Sequence, residues 1–173
     1  MKNKNIVPND QEKCLQAGRY IVSTTDPSGR ITSVNDVFIE YSGYVEEELS
    51  GSQHNIVRHP DMPRTVFKLA WDALQAGEDF YGYIKNLCKD GGYYWVFAHI
   101  RPQFDGNGEI SGYRSVRRAP KPSAVAAVEE LYASMRRAEQ ASTPDKAIAA
   151  GLDVLRGFLA SRGQSYEQMV VSL

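Results

Sequence analysis

Apolar and polar positions along the chain fall into two periods, and the change from one to the other divides it. Residues 1–18 are polar and unpatterned, which predicts a flexible arm or a short cap. Tyr20–Thr25 is then rich in β-branched and aromatic residues, and Ile31–Val34 resumes the same character. Between them Asp26-Pro27-Ser28-Gly29 has the residues of a tight turn, so the two runs predict a hairpin. Helical spacing follows. Asn35 or Asp36 caps a short helix carrying Val37, Phe38 and Tyr41, and Gly43 is placed to end it. Val45–Leu49 predicts one further turn, and residues 53–63 a loop. From Pro63 to Ala76, Val66, Phe67, Ala70, Trp71 and Leu74 make one apolar face of a longer helix. Three strands are expected next, Phe80–Leu87, Tyr93–Gln103 and Ile110–Arg117, joined by Lys89-Asp90-Gly91-Gly92 and Asp105-Gly106-Asn107-Gly108.

Beyond Pro120 and Pro122 the period becomes helical again. Val125, Val128, Tyr132 and Met135 form one stripe; Ile148, Leu152, Leu155 and Leu159 form a second, with Thr143 as the expected cap and Gly163 as the stop. These helices are free to pair with each other, the sheet or a second subunit. The reading is therefore α+β: an arm at 1–18, a sensor-sized domain at 19–118 and a helical extension at 123–173.

Composition narrows the function. Acidic and basic residues nearly cancel, giving a net charge of −1, so no broad attraction to nucleic acid is expected. No apolar run reaches the length of a membrane span, and the start of the chain lacks the apolar core of a signal peptide. Cys14 and Cys88 have no metal-like spacing and read as free thiols of a cytoplasmic protein. No nucleophile elbow, phosphate loop or dinucleotide fingerprint appears, so no enzyme is expected.

The order of elements, the Asp-x-x-Gly turn, Asn35 after the second strand and Tyr41-Ser42-Gly43-Tyr44 together resemble the PAS fold. That fold is a five-stranded antiparallel sheet with short helices on one face. Within it, His54-Asn55-Ile56-Val57-Arg58-His59-Pro60-Asp61-Met62-Pro63 resembles the flavin loop of the bacterial aerotaxis-receptor family. Trp71, Lys85-Asn86, Tyr94-Trp95-Val96 and Ile110-Ser111-Gly112-Tyr113 also look like that family. The resemblance implies noncovalent FAD and a redox or oxygen signal passed to a chemotaxis partner. That family continues into a membrane anchor, a HAMP domain and a coiled-coil rod, which this sequence is not expected to contain; it reads either as a stand-alone domain or as a fragment, so the output partner is left open, and a homodimer is one possibility.

Chemistry assigns candidate residues. Arg58 and His59 precede a helix start and suit a pyrophosphate, Arg58 as a bidentate fork. Asp61 is a poor phosphate ligand and is expected to order the loop, cap the helix or take a ribose or adenine hydroxyl. Asn86 is a mid-strand amide suited to the alternating donors and acceptors of a flavin edge. Trp71 walls the ring or simply packs. Tyr94 and Tyr113 are further wall candidates, and Asn35 either caps its helix, the simpler role, or orients a phosphate. His54 stands where photoactive flavin (LOV) domains of the same fold place a reactive cysteine, so no cysteinyl adduct is expected. His54, His59 and His99 also admit haem as a rival cofactor, and a cofactor-free interaction module is the third reading.

Overall fold

The computed structural model describes residues 6–173; the first few residues of the expected arm lie outside that range. One five-stranded antiparallel sheet organises the chain. Its strands are β1 (Ile21–Thr25), β2 (Ile31–Val34), β3 (Phe80–Leu87), β4 (Tyr93–Phe104) and β5 (Ile110–Arg118), in spatial order β2-β1-β5-β4-β3. The chain's two ends of the sheet thus meet at its centre, where β5 pairs with β1. The hairpin turns form where expected: Gly29, Gly91 and Gly108 all adopt positive φ, which a side chain would oppose.

Between β2 and β3 lie three helices, α1 (Asp36–Ser42), α2 (Glu46–Leu49) and α3 (Arg64–Gln75). Asn35 caps α1 by accepting from the Phe38 N–H, and Gly43 ends it in the left-handed region. The loop before α3 is more ordered than its sequence implied: His54–Val57 winds into one 3₁₀ turn.

The register decides what faces the site. Ile21, Ser23 and Thr25 stand opposite Arg117, Ser115 and Tyr113, which in turn lie opposite Ala98, Ile100 and Pro102. With Phe80, Ile84 and Asn86 these residues share one face, because side chains alternate along a strand. The α1–α3 layer covers that face. The other face, with Tyr83, Lys85 and Trp95, is covered by the extension, whose helices are α4 (Pro122–Ala141), α5 (Ala147–Ala160) and α6 (Tyr166–Ser172). Tyr132 of α4 donates to the Tyr83 carbonyl at 3.0 Å and lies 6.3 Å from the Trp95 ring. Helices therefore lie on both faces.

Two details of the extension differ from the sequence reading. Thr143 does not cap the second helix; α5 begins at Ala147 after a Lys146 cap residue without a side-chain bond, so the pattern was right and the start three residues early. A third helix, α6, also forms, capped by Ser165 with Gln168 returning the bond. Met169 and Val170 anchor it in the core.

Candidate functional site

A cavity of about 200 Å³ lies between α3 and the sheet. Trp71, Val66, Phe67 and Leu74 of α3 form one side. Asn86, Ile84, Tyr113, Ser115 and Arg117 form the other, and the 3₁₀ turn supplies His54 and Asn55 at its rim with Arg58 beside them. Gly29 is needed here because a Cβ would press on the Trp71 ring at 3.0 Å. Trp71 in turn meets Tyr113 edge to face at 5.5 Å. The apolar walls are thus flat and aromatic.

The floor is polar. Arg117 is 3% exposed, and among the described residues it has no carboxylate partner. One guanidinium nitrogen, Nη2, donates to His54 Nε2 at 2.7 Å and to Ser23 Oγ at 3.0 Å. The Phe38 ring lies 5.5 Å from the guanidinium carbon, in cation–π range. The other nitrogen, Nη1, has no partner, and neither does the Ser115 hydroxyl two residues earlier on the same face. Burial pushes the Arg117 pKa down to about 10, still charged at neutral pH. Buried polar atoms are almost always satisfied, so two orphans on one cavity floor mark a place for an electron-rich edge.

His54 sets the direction of Arg117. Burial, and then the Arg117 charge, push its pKa down to about 3, so the ring is neutral and its Nε2 accepts. The proton sits on Nδ1, and Phe38 stacks on the ring at 5.7 Å. A pH dependence follows. An unfolded histidine takes its proton near 6.5, the folded His54 only near 3. Across that window the unfolded chain binds more protons, so stability is lost as pH falls from about 6.5. His59, held near 4 by burial and Lys85, acts in the same direction. His54→Gln keeps an acceptor for Arg117 without the titration. Its melting temperature is expected to fall less between pH 7 and pH 5 than that of the unsubstituted protein; equal slopes by circular dichroism would assign the acid limb elsewhere.

The remaining sequence candidates are dispersed. Arg58 stacks over Phe67 at 4.1 Å and donates to the Met62 carbonyl, and its backbone bridges to Asn86. Asp61 is absent from the cavity lining and orders the loop instead, paired with Lys85 at 3.0 Å and Arg136 at 2.8 Å. Burial raises its carboxyl, but Lys85, His59 and Arg136 outweigh that and hold it below the usual range. It does not cap α3. His59 is buried behind the loop and accepts from the Asp61 N–H. Asn35 is the α1 cap and binds the β1 backbone, away from the cavity. Tyr94 faces the core against Tyr41 and does not line the cavity. His99 pairs with Asp79 and stacks on Tyr81, also outside it. The residues that sequence reasoning missed are Ser23, Ser115 and Arg117. Their signal was there: Tyr113, Ser115 and Arg117 alternate along the last strand, and a period of two puts them beside one another.

A sheet ordered β2-β1-β5-β4-β3, with a helical layer over a slot at its centre, defines a PAS-type domain. The family model described as "PAS fold" matches residues 31–117, and the chain belongs to that family. The aerotaxis receptor of Escherichia coli is 44% identical over 139 residues, which cover 80% of this chain but 26% of the receptor. A nitrogen fixation regulatory protein of Klebsiella pneumoniae is 28% identical over 60% of this chain and 21% of its own length. The chain thus spans about a quarter of the length of these relatives. Among solved structures, the light state of the blue-light photoreceptor Aureochrome1 LOV superposes with a TM-score of 0.58 at 20% identity, covering 64% of this chain and 89% of that one. That likeness is one of fold. Among the described residues no helix is long and apolar enough to cross a membrane.

Proposed function

We propose that this chain is a redox-sensing domain that holds FAD noncovalently and reports its state through the C-terminal helices to a signalling partner in the cytoplasm. The observation that carries the reading is the polar floor, where Arg117 Nη1 and Ser115 Oγ point at an aromatic-walled slot without partners of their own. A flavin ring fits this chemistry: it needs flat apolar walls and donors at one edge. Trp71 and Tyr113 would wall the ring, with Asn86, Ser115 and Arg117 holding its polar edge and Arg58 the first phosphate. His54 and Ser23 keep Arg117 aimed.

When bound, a flavin supplies reversible electron uptake, with added charge on the polar edge of the ring. The protein's part is to place a fixed cation and neutral donors there, where low dielectric magnifies each interaction. The relative named an aerotaxis receptor supports a sensory role. Haem gains nothing from the geometry of the slot, because His54 Nε2 is engaged by Arg117, His99 faces away, and His59 lies outside the slot with its Nδ1 taken by the Asp61 N–H.

The test is an absorption spectrum of the purified protein, then denaturation and chromatography of what is released. Bands near roughly 450 nm with free FAD are expected. A protein that stays colourless after incubation with FAD would leave a cofactor-free interaction module as the better account.

A further inference from the structure

A second cavity, of about 590 Å³, lies on the far side of the same loop. Its volume falls in the roughly 300–1,000 Å³ range of small-molecule sites. Asn55 and Arg58 line both cavities, so the two sites adjoin and one elongated ligand can occupy both. What is unusual is the second wall. The flavin loop supplies only part of it; the end of α4 and the turn into α5 add Arg136, Gln140 and Pro144, and Ile6 and Pro8 of the N-terminal segment and Leu87 of β3 complete the wall. Arg136, Gln140 and Pro144 all lie outside the segment that defines the family, residues 31–117.

The lining is cationic. Arg58, Arg64 and Arg136 face one carboxylate, Glu139. That carboxylate is already committed to the start of α3, where it accepts from the Arg64 and Thr65 N–H groups and the Thr65 hydroxyl. Behind the wall, Asp61 is shared between Arg136 and Lys85, and Glu129 lies 3.8 Å from Lys85. Arg58 and Arg64 make no ion pair among the described residues; burial and the Arg64 charge disfavour the Arg58 charge, and Glu139 partly offsets them. With Asp61, Glu129 and Lys85 counted, the cluster keeps a net surplus of one positive charge, and Arg58 and Arg64 are the two guanidiniums without an ion pair that a pyrophosphate would meet. Ile56, Pro60 and Pro144 offer apolar surfaces for a purine.

We infer that this second cavity takes the adenylate half of the dinucleotide, so that the α4–α5 turn is part of the ligand site and selects FAD over shorter flavins. The inference rests on the flavin reading above. The extension then has two roles: it carries the signal onward, and it closes over the ligand whose state it reports. Loss of the adenylate half loosens the α4–α5 turn, and loosening the turn weakens FAD.

Calorimetric titration of the full chain, stripped of bound flavin, with FAD and with riboflavin tests this. FAD is expected to bind at least tenfold more tightly than riboflavin. Arg136→Ala is expected to weaken FAD at least tenfold and to leave riboflavin within twofold. Because Arg136 also pairs with Asp61, Gln140→Glu serves as the second variant: it is exposed and nearly isosteric, adds one negative charge to the lining, and is expected to weaken FAD alone. Equal affinities for FAD and riboflavin, or FAD binding indifferent to both substitutions, would overturn the inference while leaving the flavin reading intact. A protein that binds neither ligand would instead overturn the flavin reading and this inference with it.

Discussion

Replacing Arg117 by methionine is expected to weaken flavin binding by at least tenfold while leaving the ligand-free protein as stable as before, or more so. The two halves of that result have separate causes. A buried guanidinium with no carboxylate partner is costly to desolvate, and its three compensating contacts are neutral: His54, Ser23 and Phe38. Methionine fills much of the same volume without the charge, so the folded chain loses a liability. Ser23 and His54 retain each other at 3.2 Å, which limits what is newly unpaired. Binding responds in the other direction. A hydrogen bond to a charged group is worth roughly 1.5–3 kcal/mol, or about 10- to 150-fold in affinity. If Arg117 were only a structural residue, the substitution would lower the melting temperature and leave flavin affinity alone. Thermal melts of stripped protein, set beside flavin titrations, separate the two roles.

How far the sequence alone leads can be judged from this same residue. The strands were readable almost to the residue, because alternation and turn glycines are local signals: β2 and β3 have the predicted ends, and β4 and β5 run one residue longer. The site was readable only where resemblance singled out a segment. Arg58, Trp71, Asn86, Tyr113 and His54 all line the slot. Arg117 escaped notice because an arginine near the end of a strand usually faces water, as Arg118 next to it does. Only register distinguishes them, and register requires knowing that β5 lies between β1 and β4. Asp61 went the other way. Its place in the loop suggested ligand contact, but two cations from distant segments, Lys85 and Arg136, claim its carboxylate. Long-range pairing of that kind leaves no local trace. The same holds for the extension, whose stripes announced helices but not that one of them would cross the outer sheet face.

That extension supplies the other large effect. Glu139→Ala is expected to release α4 and α5 from the sensor core while the sheet stays folded. Helix α3 begins at Pro63, a cap residue with no side-chain acceptor to offer. Its first N–H groups would be orphaned, and Glu139 of α4 takes two of them, at 3.0 and 2.9 Å, together with the Thr65 hydroxyl at 2.7 Å. The helix that walls the slot is therefore capped by the helix that leaves it. Removing the carboxylate strands two amides and leaves the buried Thr65 hydroxyl only the Ile148 carbonyl at 3.3 Å; a lost cap costs about 0.5–2 kcal/mol and a lost bond to a charged acceptor about 1.5–3 kcal/mol. Gly151 of α5 tests the same joint from the other side, because any Cβ there would overlap Thr65 Oγ1 and crowd Glu139. Gly151→Val is expected to match Glu139→Ala. In both variants trypsin should cut at Arg136 and Arg137 many-fold faster, leaving a resistant fragment that retains the sheet. A change in α3 could reach the extension through this joint, so any difference in cleavage between oxidised and dithionite-reduced protein should vanish in the variants. Unchanged cleavage in both would mean that Met135, Leu155 and Met169, buried in the core, hold the extension without the cap, and that α3 and α4 are coupled by packing alone.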